Sequence, residues 1–266
     1  MRKIWALVRA SWLTASSYRL GMAFSFGSLV VTIVPVFFIA RALQPTMADA
    51  IRGQGAQYFA FLVLGLIALN VVVSTIYALA GGLQTATSTG TLEALLATPT
   101  PVSSLVVGLS AYEVLFSLAR GLAMLVVAGL LGARVEWFRL GASIPILVLL
   151  VLVHLPIGIV TAAMVLAFRT RGPLAQAVLL LSSFLGGVYY PTTVIPGWIR
   201  SLSAFVPLTY ALNALRAVLI EGRPLSSVWR EIVILAAITV VALALSAWAF
   251  GAALRYARRV GNLAQY

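Results

Sequence analysis

The sequence predicts an all-α polytopic membrane protein with six transmembrane helices, an N-terminal interfacial helix and a re-entrant helical hairpin before the last span. Two observations carry that expectation. Hydrophobic residues make up 62% of the chain and charged residues 9%, with a mean hydropathy of +1.07, whereas soluble domains carry roughly 25% charged residues. The chain of 266 residues has room for about six spans of ~20 residues with short links and none for an added aqueous domain. It therefore reads as one membrane domain, 1–266.

The elements follow in order. Within residues 1–20, Ile4, Trp5, Val8, Trp12 and Ala15 share one side of a helical wheel, as in a helix lying in the membrane interface. Arg2 and Lys3 before an apolar stretch, with Ala40-Arg41-Ala42 further on, imitate a cleaved signal. The apolar run Gly21 to Ala40 is too long and begins too late for one, and is read as the first span. Further runs follow at Tyr58 to Gly82, Ser104 to Gly132, Leu140 to Phe168, Pro173 to Tyr190 and Ile232 to Leu254. Each is long enough to cross about 30 Å of hydrocarbon, the fifth only barely.

Six spans return both termini to one side. Arg2, Lys3, Arg9, Arg19, Arg169, Arg171, Arg255, Arg258 and Arg259 lie on that side. Arg41, Arg52, Arg134, Arg139, Arg200, Arg216, Arg223 and Arg230 lie opposite. This narrow excess of basic residues places the termini in the cytoplasm. The net charge of +12 reads as contact with anionic lipid headgroups, not with nucleic acid.

Between the fifth and sixth spans, residues 191–231 are neither a polar loop nor a span. Phe205 to Ile220 is a mostly apolar stretch, with Pro191, Pro196 and Pro207 ahead of it. It is too short to cross, and backbone at membrane depth must be helical or shielded by protein. A re-entrant or interface-lying hairpin on the extracellular side fits best.

Several chemistries lack their residues. A phosphate-binding loop needs a lysine, and Lys3 is the only one, so ATP hydrolysis has no home here. There is no cysteine, no metal-binding cluster, and no recognisable nucleophile motif. Ion-coupled transporters usually place several carboxylates inside the membrane, whereas Glu113 is the only acid within a span. Any transport would draw its energy from a partner. Asn70, Glu113, Arg120 and His154 form a candidate polar layer near mid-membrane, with Glu113 and Arg120 two turns apart on one helix face. Arg120 in that layer either makes a structural bridge or contacts cargo.

A partner needs a handle. Residues 83–103, between the second and third spans, carry GTLEALLATPTPVSSLVVG over 90–108. Thr91 to Ala97 is a short helix former closed by Thr98-Pro99-Thr100-Pro101. It exposes Leu92, Leu95 and Leu96 with Glu93 as its one charge, a composition suited to a protein groove.

This segment, with GGVYYPTTVIPGWIRSLSAFVPLTYALNALRAVLIEG over 186–222, resembles the membrane subunit of type-2 ATP-binding-cassette exporters. The resemblance implies a non-catalytic permease in a prokaryotic plasma (inner) membrane, moving a lipophilic or lipid-linked substrate. It implies a second permease subunit, identical or not, and two copies of a separate ATPase that bind ATP and Mg. No cofactor is expected on this chain. Leu92, Glu93, Leu96, Thr98 and Pro99 fall in its coupling stretch, and Pro191, Pro196, Gly197, Pro207 and Arg216 in its extracellular signature. The competing reading is a membrane scaffold or assembly protein whose elbow docks a cytoplasmic partner without transport.

Overall fold

The computed structural model describes residues 19–88, 102–168 and 173–260, and these contain helices and turns with no strand. The interfacial helix expected over 1–20 lies outside the described residues apart from Arg19 and Leu20, which already belong to α1. Arg169 and Arg171 also lie outside them.

Four long helices come first: α1 (Arg19–Met47), α2 (Tyr58–Ser88), α3 (Val102–Leu130) and α4 (Leu140–Phe168). Then come the short α5 (Leu174–Leu185), α6 (Gly197–Ser203) and α7 (Pro207–Leu219), and finally α8 (Trp229–Val260). Near-continuous apolar sequence explains the long ones, since in hydrocarbon the backbone has only itself to bond to. Pro35 and Pro45 in α1, and Pro145 and Pro156 in α4, are accommodated within helix.

Among the described residues, five helices are long and apolar enough to span. The expected fifth span resolves differently. Its helix ends at Leu185 after 12 residues, because Gly186 and Gly187 turn the chain, the latter with φ +77°, a conformation glycine adopts without steric cost. α6 and α7 meet at 84° and make up a sixth crossing only if taken together as one broken span.

α2 is the central helix. Of its most apolar stretch 72% is buried, against 17% for the corresponding stretches of α1 and α8. It packs on α1, α3, α4, α5 and α7, while α4 also packs along α8. Close approach of α2 and α4 depends on Gly158, where a Cβ would sit 2.9 Å from the Thr75 carbonyl oxygen. α2 ends at Ser88 and α3 begins at Val102, on either side of residues 89–101.

At the opposite end the loops are tied together. Gln44 donates to the Ala56 carbonyl at 2.8 Å and accepts from the Tyr58 amide at 2.8 Å. Gln57 donates to the Gly132 carbonyl at 2.8 Å and accepts from the Arg134 amide at 2.6 Å. The Glu136 amide donates to Leu219 O at the end of α7, at 2.8 Å. Two side-chain amides thus fix the α1–α2 connection and join it to the α3–α4 connection, which α7 meets through its last carbonyls.

Candidate functional site

Three places in the chain were singled out by sequence, and two of them lie within the described residues. The hairpin expected over 191–231 is built on prolines. Pro191 leads into a 3-10 turn at Thr192–Val194, Pro196 stands at the N-cap of α6, and Pro207 opens α7 at a first-turn position, where a missing N–H costs nothing. Gly197 starts α6. Trp198 and Phe205 are strongly exposed, as membrane-facing aromatics are at an interface.

α7 does not lie on the surface. Ten of its 13 residues are buried, and it inserts between α2, α4, α5 and α8. Arg216, counted from sequence among the outer basic residues, is 1% exposed. Its guanidinium stacks over the Phe61 ring at 3.4 Å from the centroid. Nη2 donates to the carbonyls of Gly187 at 2.8 Å, Phe61 at 3.1 Å and Val188 at 3.5 Å, and Nη1 to Gln54 Oε1 at 3.4 Å. No carboxylate takes part. A planar fork with several donors suits such a set of scattered carbonyls, as an ammonium would not. Tyr58 adds a second tie to the same turn, donating from its hydroxyl to Tyr189 O at 2.7 Å.

The mid-membrane residues divide. Counted from the ends of α2 at Tyr58 and α3 at Leu130, Asn70 and Arg120 lie about 18 and about 15 Å along their helices, close to half of a ~30 Å hydrocarbon layer, and both line a recess of about 180 Å³ with Thr32, among the apolar side chains of α1, α2 and α3. Glu113 is exposed on α3 and makes no ion pair with Arg120. Among the described residues the ion pairs are Arg52 with Asp49 and Arg223 with Glu221, each at 2.6 Å. His154 is fully buried on α4, which contributes nothing to the recess. Its Nδ1 donates to Leu150 O at 2.8 Å, one turn back on the same helix.

The coupling residues Leu92, Glu93, Leu96, Thr98 and Pro99 lie outside the described residues. Helix α2 continues to Ser88 and α3 begins at Val102, so residues 83–88 and 102–103 of the elbow expected over 83–103 are helical, and the rest of it lies outside the described residues.

Sequence reasoning missed Gln44 and Gln57, which tie the interhelical connections, and Gln54 and Tyr58, which bond to Arg216 and to Tyr189. Each is an isolated polar group at the rim of an apolar run, a signal visible in the sequence without its partners. It also missed Ser74, Tyr77 and Gln84, which follow Asn70 down α2 at helical spacing. Tyr77 reaches across to α5, its hydroxyl donating to Gln176 Oε1 at 3.3 Å.

Comparison with known proteins agrees with this architecture. The family model described as ABC-2 type transporter matches residues 2–220. Nodulation protein J of Rhizobium leguminosarum bv. viciae is 26% identical over 224 residues, covering 83% of each chain. Nodulation protein J of Rhizobium meliloti (strain 1021) is 25% identical over 232 residues, 86% of each. Nodulation protein J of Bradyrhizobium diazoefficiens is 25% identical over 207 residues, 76% of each. With most of its length matched and its apolar helices arranged for a multi-pass membrane protein, the chain belongs to the ABC-2 type transporter family, as a membrane-spanning transporter component.

Proposed function

We propose that this chain is the permease half of an ATP-driven exporter for a lipophilic or lipid-linked substrate, coupled through residues 89–101 to a separate ATPase. A second permease subunit completes the pathway, and two ATPase subunits bind ATP and Mg. The observation that supports this reading is the match of the ABC-2 type transporter family over residues 2–220, which takes in the segment 89–101. Residues 89–101, between α2 and α3, hold Glu93 as their only charge and close on Thr98-Pro99-Thr100-Pro101. A lipid-facing cytoplasmic loop would carry lysine and arginine instead, and the leucines of this one call for a groove on another protein.

The termini then lie in the cytoplasm of a prokaryotic cell, in its inner membrane, with the proline-rich hairpin outside. The coupling role falls to Leu92, Glu93, Leu96, Thr98 and Pro99. Leu96→Asp tests it, because an unpaired carboxylate pushed into an apolar groove costs several kcal/mol. The expected result is a variant that inserts and accumulates as wild type but no longer exports when reconstituted with its ATPase. Normal ATP-driven export by L96D at equal expression would reject the elbow as the handle. Binding of the ATPase with no substrate-dependent hydrolysis at all would favour a scaffold.

A further inference from the structure

The accessible side of α2 is unlike the rest of the bundle. Most of the helix is buried, yet Asn70 is exposed, Ser74, Tyr77 and Gly81 are partly exposed, and Gln84 is exposed again. These positions recur every three to four residues and so form one stripe, about 21 Å long from mid-membrane toward the elbow. Polar side chains turned outward on a central helix do not suit lipid; they suit a wet route or another polar surface.

Arg120 meets the upper end of this stripe. Its Nε is buried without a hydrogen-bond partner, and among the described residues it forms no ion pair. Thr32, on the same recess, has its hydroxyl committed to Ser28 O at 2.9 Å. The recess therefore presents a guanidinium with donors to spare, beside the carboxamide of Asn70, at a depth where an arginine costs at least ~2.5 kcal/mol on insertion scales. An anion satisfies both the charge and the donors. The volume of about 180 Å³ equals some six water molecules at ~30 Å³ each, enough for a single acidic group and its point of attachment.

We infer that the Arg120–Asn70 recess is a mid-membrane subsite for a carboxylate or phosphate group of the transported amphiphile, with Arg120 gripping its oxygens and Asn70 donating beside it. This rests on the exporter reading. Two other sources of an anion fit less well. Bilayer lipids hold their headgroups about 15 Å away, at the edge of a ~30 Å core. Glu113 of a second copy, related by a two-fold axis along the membrane normal, keeps its own depth, about 10 Å below Arg120.

The test uses the full chain in phosphatidylcholine nanodiscs, titrated with dodecyl phosphate and followed by phosphorus NMR line width, with empty nanodiscs and uncharged dodecanol as controls. Saturable binding above the empty-disc background is expected, undisturbed by dodecanol. Arg120→Gln should weaken it about tenfold or more, and Arg120→Lys, which keeps the charge, should retain most of it. Binding no greater than in empty discs, or equal binding by R120Q, overturns the subsite. Where R120Q folds poorly, Asn70→Ala serves in its place, with a weaker loss expected and unchanged binding counting against the subsite. Displacement of the probe by phosphatidylglycerol in the disc would assign the recess to bilayer lipid. Loss of dimer on Glu113→Gln, without probe binding by the wild type, would assign it to a bridge between subunits. The titration needs no ATP. Its failure beside an uncoupled L96D variant rejects the subsite alone, whereas binding beside a fully active L96D removes only the coupling scheme.

Discussion

Arg216 joins pieces of the chain that are remote in sequence, touching Gln54, Phe61, Gly187 and Val188 from α7. Charge-assisted hydrogen bonds of this kind contribute about 1.5–3 kcal/mol each when buried, and a desolvated cation–π contact ~2 kcal/mol. Replacing Arg216 by alanine should therefore lower stability by several kcal/mol, read as a clear drop in melting temperature by tryptophan fluorescence in nanodiscs. Arg216→Lys should fall between the two, since an ammonium keeps the charge but loses the flat stack and the fork. A wild-type melting temperature for R216A would show that the turn holds without its pin. The sequence marks Arg216 only as a charge inside an apolar stretch. Its partners are backbone carbonyls, which carry no residue type, and so could not be named beforehand. His154 teaches the converse. Position along a span places it near mid-membrane, but its side chain turns into the core of α4 and bonds its own helix.

At the scale of elements, apolar length located α1, α2, α3, α4 and α8 well, because a segment that must satisfy its own backbone in hydrocarbon has little choice but helix. The same criterion overran α5. Val188, Tyr189 and Tyr190 extend the apolar run, yet the glycine pair before them breaks the helix, and that signal was present in the sequence and outvoted by hydropathy. For the hairpin, the prolines announced the breaks at α6 and α7 but not the burial of α7, which depends on surfaces offered by α2, α4 and α8. Its sidedness is open to measurement. Thr193 and Ser201 are both exposed, and the chain has no cysteine. Single cysteines placed there should react with an impermeant thiol reagent added outside intact cells. Reaction only from the cytoplasmic face would invert the proposed topology.

At the end of the molecule away from residues 89–101, the interhelical connections are bonded to one another and to α7, so a handful of hydrogen bonds holds that end together. On the α5 side that end is also thin. A helix of 12 residues rises about 18 Å, against a hydrocarbon layer of ~30 Å. What fills the difference is turn and hairpin, with carbonyls stoppered by Arg216 and Tyr58. Removing one of these two side chains would leave buried carbonyls of the turn without a donor. Proteoliposomes carrying Arg216→Ala should lose an imposed potassium diffusion potential faster than those carrying wild type, without ATP or cargo. Equal decay would mean that the hairpin is ion-tight through its packing alone.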